Sequence, residues 1–264
     1  MVTSTKCGIK IGMLAVAALS VLPNASDADC RAVSPDHTIA LVELYTSEGC
    51  DSCPPADRWL SRFDDRQQPT RAVALALHVD YWDRLGWKDR FASAAFTERQ
   101  YEQMRRQRAS FVYTPQVMVQ GREFTQWRTG DDPTAAISAI NARPARAMIE
   151  LAAEPHGGDA SVDLRVRVPN TRDREHALIV VALVQSGLVS DVKAGENAGK
   201  RLAHDHVVRQ WRVAPALDPA GELRGRLTFA LPAERGPLTI VAFAEDTTTG
   251  DVLQALALPF CARS

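Results

Sequence analysis

The chain has 264 residues, 45% hydrophobic and 24% charged, with 31 Lys and Arg against 32 Asp and Glu. That apolar content and charge balance exclude a disordered chain, and the lack of a basic excess argues against nucleic-acid binding. A chain this long buries a real core without cysteine staples, so its five cysteines need another explanation.

Lys6 and Lys10 precede an apolar run from Ile11 to Leu22, too short for a membrane-spanning helix. Pro23 and Asn24 break the run, and Ser26 and Ala28 supply small residues before a cut after Ala28. This layout predicts a signal peptide over 1–28 and a periplasmic or secreted mature chain with no membrane span. Asp29 stands where lipidation of Cys30 would need a small residue, so no lipid anchor is expected. Removing 1–28 also removes Cys7 and leaves Cys30, Cys50, Cys53 and Cys261 in an oxidising compartment, where disulfides persist.

Thr38–Thr46 is dense in β-formers and predicts a buried strand. After S-E-G-C-D-S-C-P-P, the spacing of Ala56, Trp59, Leu60 and Phe63 predicts a helix, with Pro54 or Pro55 in its first turn. Ala72–Val79 is a continuous apolar run and fits a parallel strand covered on both faces. A second helix is expected from about Phe91 to Arg108, and a hairpin where Val117–Gln120 and Glu123–Gln126 flank Gly121. Asp132 can cap a last helix from Pro133, ended by Pro144. The order β-α-β-α-β-β-α predicts an α/β domain over 29–145 whose first two strands are parallel.

Beyond Pro144 the pattern changes. Ala147–Ala153, Ser161–Val168, Ala177–Gln185, His206–Val213, Glu222–Leu231, Leu238–Glu245 and Asp251–Leu258 all read as strands. Val162, Leu164, Val166 and Val168 alternate with charged residues, which indicates one buried face. No helix-period segment stands out, so an all-β, sandwich-like C-terminal domain is expected over 146–264.

Cys50-Asp51-Ser52-Cys53 lies between a predicted strand and a predicted helix. Backbone N–H groups at a helix start favour thiolate over thiol, and the thiolate is the attacking species. Cys50 is therefore the candidate nucleophile and Cys53 the resolving thiol, one helical turn away and able to close a short disulfide with it. A zinc site is not expected, since no second C-x-x-C supplies further ligands. Pro115 opens an apparent strand, where a proline is often held cis.

The C-x-x-C-P on the first helix and Thr114-Pro115 before the hairpin resemble the thioredoxin fold over about Thr38–Arg143. That resemblance implies a cis-Pro115 facing the C-x-x-C, with neighbouring backbone pairing with a substrate peptide. It also implies that Glu43, an acid within an apolar strand, helps to move the proton of the resolving thiol. L-V-E-L-Y-T-S-E-G-C-D-S-C-P-P-A-D, H-V-D-Y-W-D-R-L-G-W-K-D and Y-T-P-Q-V-M-V-Q-G further resemble three blocks of a bacterial secreted family, domain of unknown function 1223. That likeness implies a thioredoxin-like domain with an added β domain and says little about activity.

Parallel strands put the C-terminal end of Ala72–Val79 beside the C-x-x-C, so His78, Asp80, Tyr81, Trp82 and Trp87 should crowd that edge. There Trp82, His78, Tyr113 and Thr114 would wall a substrate groove, or His78 would handle protons or pack in the core. Asp51 should oppose thiolate formation and make the couple less oxidising than the strongest oxidants. His204 and His206 on one strand would share a face, most simply as a polar strand start, and Arg99, Arg105, Arg106 and Arg108 read as a solvated helix face. Cys30 and Cys261 bracket the mature chain and are expected to pair, although sequence does not prove connectivity.

These features predict a thiol–disulfide oxidoreductase acting through Cys50 and Cys53, with a thiol- or disulfide-bearing protein substrate, a further redox partner and no cofactor. Two alternatives stay open. One is a carrier of Cu(I) on the two thiolates and His78, and the other a non-catalytic binding module with a structural disulfide.

Overall fold

The computed structural model describes residues 1–3, 30–63, 72–129 and 132–261. Residues 4–28 of the expected signal peptide lie outside the described residues.

The first half contains β1 (Arg31–Val33), β2 (Ala40–Thr46), α1 (Pro54–Leu60), β3 (Ala72–His78), α2 (Ala94–Arg106), β4 (Gln116–Val119), β5 (Arg122–Glu123) and α3 (Thr134–Asn141). The second half contains β6 (Met148–His156), β7 (Asp159–Arg167), α4 (Thr171–Glu175), β8 (Ala177–Gln185), β9 (Leu188–Asp191) and β10 (Arg201–His204). It closes with β11 (Val207–Val213), β12 (Glu222–Ala230), β13 (Leu238–Asp246) and β14 (Val252–Pro259). Cys53 is the N-cap residue of α1, and Pro54 and Pro55 occupy positions where no helical N–H partner exists. Ser93 caps α2 by accepting the Ala95 N–H. Asp132 accepts the Thr134 N–H at the start of α3.

Eight strands form one sheet in the order β14-β13-β8-β11-β3-β2-β4-β5. β2 and β3 run parallel with Thr46 opposite His78, and β4 returns antiparallel with Gln116 opposite Tyr45. β11 joins β3 in parallel through Val207 opposite Ala76, and pairs antiparallel with β8 on its other side. A second sheet, β1-β6-β7-β12, has four strands, and β9 and β10 form a separate antiparallel hairpin.

Period-2 alternation assigns the two faces of the large sheet. Ile179, Val181 and Leu183 of β8 and Ile240 and Ala242 of β13 pack against Ile149, Leu151, Val162 and Leu164 of the second sheet. On the opposite face, Val180, Ala182, Val241 and Phe243 share a core with Leu41, Tyr45, Leu75 and Leu77 and with Phe96 and Met104 of α2. Where the sheet continues into β2 and β3, Val42, Leu44, Ala74 and Ala76 pack with Ala56, Trp59 and Leu60 of α1 and Ile137 and Ile140 of α3.

The expected fold class is corrected here. The structure shows no thioredoxin-like α/β domain followed by a separate sandwich-like β domain; it is a β-rich fold with fourteen strands and four α-helices among the described residues. The physical reason is edge pairing. β3 does not end its sheet: β11 bridges that edge where Val207 stands opposite Ala76, and β8, β13 and β14 extend it, so residues on both sides of Pro144 build one sheet. Local pattern also missed α4 and the β9–β10 hairpin, and gave Glu123–Gln126 as a strand where β5 is two residues followed by a 3-10 turn at Thr125–Thr129.

Candidate functional site

The parallel pair β2–β3 ends at one edge of the large sheet, and β4 begins there. Cys50 and Cys53 lie on the connection from β2 to α1 and are joined in a disulfide with a Cα–Cα distance of 5.4 Å. The connection is tightly wound. The Cys50 N–H reaches the Ser47 carbonyl at 3.2 Å, and the Cys53 N–H reaches the Cys50 carbonyl at 3.2 Å. Both cysteines are fully buried, at 0% exposure. The Thr114–Pro115 peptide is cis. Trp82 links the two loops: its indole Nε1 donates to Thr114 Oγ1 at 2.7 Å, and a Cβ on Gly49 would come within 3.1 Å of Trp82 Cβ.

A buried acid–base cluster lies on the α1 face of this edge. Asp57 is one turn after Cys53 on the same helix face, with its backbone N–H 3.1 Å from the Cys53 carbonyl. Thr46 Oγ1 donates to Asp57 Oδ1 at 2.8 Å. Burial pushes the Asp57 pKa up, and the nearby His204, His78 and the Thr46 hydroxyl offset this only in part. His78 Nδ1 lies 2.7 Å from Asp89 Oδ2. The Asp89 carboxylate also accepts the N–H groups of Glu48 and Phe91, both at 2.9 Å. Burial opposes the His78 imidazolium, yet the Asp89 carboxylate, with Asp57 and Glu48 beyond it, outweighs burial and holds the pKa above its ordinary value. Burial likewise opposes the Asp89 charge, and His78 overcomes it and holds that carboxyl below its ordinary range.

His204 of β10 stacks edge-on against His78 with ring centroids 5.1 Å apart, and its Nε2 lies 3.3 Å from Glu48 Oε1. Burial opposes the Glu48 charge, but His204, Ser190 and the Trp87 indole, whose Nε1 donates to Glu48 Oε2 at 2.7 Å, hold its pKa down. The hairpin loop after β9 closes over the cysteine connection. Asn197 Nδ2 donates to the carbonyl oxygens of Glu48 and Cys50, both at 2.8 Å, and Glu196 Oε2 accepts the Asp51 N–H at 3.1 Å.

Cys50, Cys53, His78, Trp82, Thr114 and Pro115 therefore gather at one edge. His78 is a buried ion partner under that edge, 1% exposed, and not an open groove wall. Tyr113 is half-buried and its hydroxyl is engaged by Glu123. Glu43 does not belong to this group. Its parity on β2 points it at α2, where Arg99 Nε donates to Glu43 Oε1 at 2.7 Å. Arg99 correspondingly leaves the solvated face expected of it and is buried between Glu43, Glu245 and the rings of Trp211 and Phe243. His206 follows β10 with φ of 57° and shares no strand with His204. Cys30 and Cys261 form the second disulfide. The sequence reading missed Asp57, Asp89, Glu48 and Asn197. For Asp57 one signal existed, since it stands four residues after Cys53 on the face that carries the apolar residues of α1.

Among the described residues there is no group of three or more His, Cys, Asp or Glu side chains arranged to hold a metal ion. No helix among them is long and apolar enough to cross a membrane.

A β-rich chain with a disulfide over a buried acid–base cluster is thus the class to be placed. The chain matches the family model described as "Protein of unknown function (DUF1223)" over residues 41–244 and belongs to that family. It is similar to an X-ray structure of a protein from Agrobacterium tumefaciens, with 26% identity, a TM-score of 0.57, and coverage of 88% of this chain and 98% of the other. It shares its fold with HBP35 of Porphyromonas gingivalis at 13% identity and a TM-score of 0.61, covering 85% of this chain and 76% of the other. Both likenesses extend across the two halves of the chain, as expected of strands that share one sheet. No curated protein matches the chain.

Proposed function

We propose that this protein is a thiol–disulfide oxidoreductase of the periplasm or the exterior of the cell, with Cys50 and Cys53 as its redox pair. The observation that carries the reading is the position of Asp57, a buried carboxyl with a raised pKa one helical turn from Cys53. Such a group holds a proton closer to neutrality than an exposed aspartate does, which suits acid–base work on a sulfur.

In the oxidised protein a substrate thiolate attacks Cys50 Sγ. The Cys50–Cys53 bond breaks, Cys53 leaves as thiolate, and Asp57 supplies its proton. A second substrate thiolate attacks the substrate sulfur of the mixed disulfide and releases Cys50. The substrate dithiol loses two electrons and becomes a disulfide, and the cysteine pair gains them; the reverse sequence reduces a substrate disulfide. The test is turnover of a protein disulfide, such as that of insulin, or of a peptide dithiol by the purified mature chain, with Cys50→Ser as control. Absence of turnover in both directions sinks the reading.

The full burial of both cysteines favours a second reading, a structural disulfide that never turns over. That reading predicts that reducing this bond lowers stability and that no substrate is processed.

A further inference from the structure

We propose that residues 192–200 form a lid, closed over the Cys50–Cys53 disulfide and latched by Asn197. Burial and reactivity conflict at this disulfide. A disulfide must present Cys50 Sγ to an incoming thiolate along the S–S axis, yet Cys50 is fully buried. Its cover comes from the far half of the chain. The Asn197 side chain spans the Glu48 and Cys50 carbonyls, and Glu196 takes the Asp51 N–H. Gly195 sits with φ of 73° against Trp87, where a Cβ would lie 3.4 Å from Trp87 Cβ. The loop thereby meets the connection after β3 and completes the seal.

The same loop is built to detach. Within 193–200 only Asn197 is buried; Lys193, Glu196, Ala198, Gly199 and Lys200 are exposed. Its one apolar anchor, the buried Val192, stands at its base, and beyond that residue only Asn197 holds it down, so the local stability of 193–200 is low. Its own backbone bonds are internal: Val192 N–H to Lys200 O, Gly199 N–H to Val192 O and Lys200 N–H to Asn197 O. It can therefore swing as a unit without losing its turn. Lys200 Nζ donates to Asn197 Oδ1 at 2.8 Å and orients the amide that makes the latch.

The biological sense of the lid rests on the redox reading above, but its chemistry does not, because it governs access of any thiol to Cys50. The test is reduction of the oxidised full chain by dithiothreitol, quenched by alkylation and read at the Cys50 and Cys53 peptides by mass spectrometry. One thiolate of the reagent attacks Cys50, Cys53 leaves and is protonated, and the second thiol closes the reagent's ring and frees Cys50. Asn197→Ala removes the two latching hydrogen bonds and the one from Lys200 Nζ, and should be reduced at least about tenfold faster than the natural chain. Lys200→Met, on the exposed surface, should be reduced about threefold faster, the worth of one modest hydrogen bond. Rates in both variants equal to or below that of the natural chain overturn the lid. If Asn197→Ala does not fold, Lys200→Met decides by the same criterion. Faster reduction without substrate turnover supports the lid and sinks the oxidoreductase reading; turnover with unchanged reduction rates does the opposite.

Discussion

Arg99 of α2 offers two guanidinium nitrogens to the two carboxylate oxygens of Glu245 on β13, at 3.0 and 2.8 Å. Its third nitrogen holds Glu43 on β2. One buried cation thus joins three elements, one of them from the second half of the chain. Arg99→Met leaves the buried Glu43 carboxylate without its counter-charge and Glu245 with Arg106 alone, 3.7 Å away, and should cost about 3–5 kcal/mol. The denaturation midpoint measures this, and Glu43→Gln with Glu245→Gln in the same chain should restore much of it. A midpoint unchanged by Arg99→Met would show that the triad carries no stability.

The His78–Asp89 pair should give stability a pH signature. The folded pKa of His78 is raised, so its contribution is complete below the unfolded value of about 6.5 and fades as pH rises through the folded value. The folded pKa of Asp89 is lowered, so its contribution is present above the unfolded value of about 3.9 and is lost as pH falls through the folded value. The pair is worth most between those two unfolded values. Asp89→Asn should therefore destabilise most near about pH 5 to 6 and less at about pH 9. Urea unfolding across pH tests this; a difference independent of pH would remove the charge from the account.

Asp57→Asn should separate rate from stability. Loss of a positioned proton donor should slow reduction of the Cys50–Cys53 bond by about 100-fold and flatten its pH–rate profile. Stability should move the other way. Burial raises the folded pKa of Asp57, so the natural chain loses stability as pH rises from the unfolded value through the folded one. The variant lacks that loss and should unfold later than the natural chain at pH 8, that is, roughly four units above the unfolded value. A variant equally fast in reduction would assign the proton to another group.

Cys30 and Cys261 close a loop with a sequence separation of 231. Loop-closure entropy gives such a bridge up to about 5 kcal/mol of stability. Replacing both by Ser should lower the melting temperature while leaving reduction kinetics at Cys50 unchanged. An unaltered melting temperature would mean that β1 and β14 hold the ends without the bridge.

Much of the local structure was legible in the sequence. Apolar runs located β2 and β3, and helix spacing located α1 and α2, because burial and period are local signals. Strands β6, β7, β8, β13 and β14 followed from alternation and turn residues. Partner choice was not legible. His206–Val213 reads as a strand, but nothing in V-V-R-Q-W-R-V says that it lies beside Ala76. The candidate site divides the same way. Cys50, Cys53 and Pro115 stand out by residue type, whereas Asp57 in P-P-A-D-R-W is marked only by its place four residues after Cys53 on the apolar face of α1. The thioredoxin resemblance points to Glu43, but strand parity turns that acid toward Arg99, and which helix covers which face is not written in the strand itself. Asn197 was invisible, since its role comes from a contact across 147 positions.

The pairing of β11 with β3 has a consequence for how the chain is made. Synthesis completes the first 145 residues while the strand that will cover β3 is still about 60 residues away. Until then β3 offers an unpaired edge of Ala72–His78, an apolar template for adhesion to other nascent chains. In that order of synthesis the later strands would shield the apolar edge of the earlier ones, and the cysteine connection would gain its cover from Asn197 only after more than half of the chain is made.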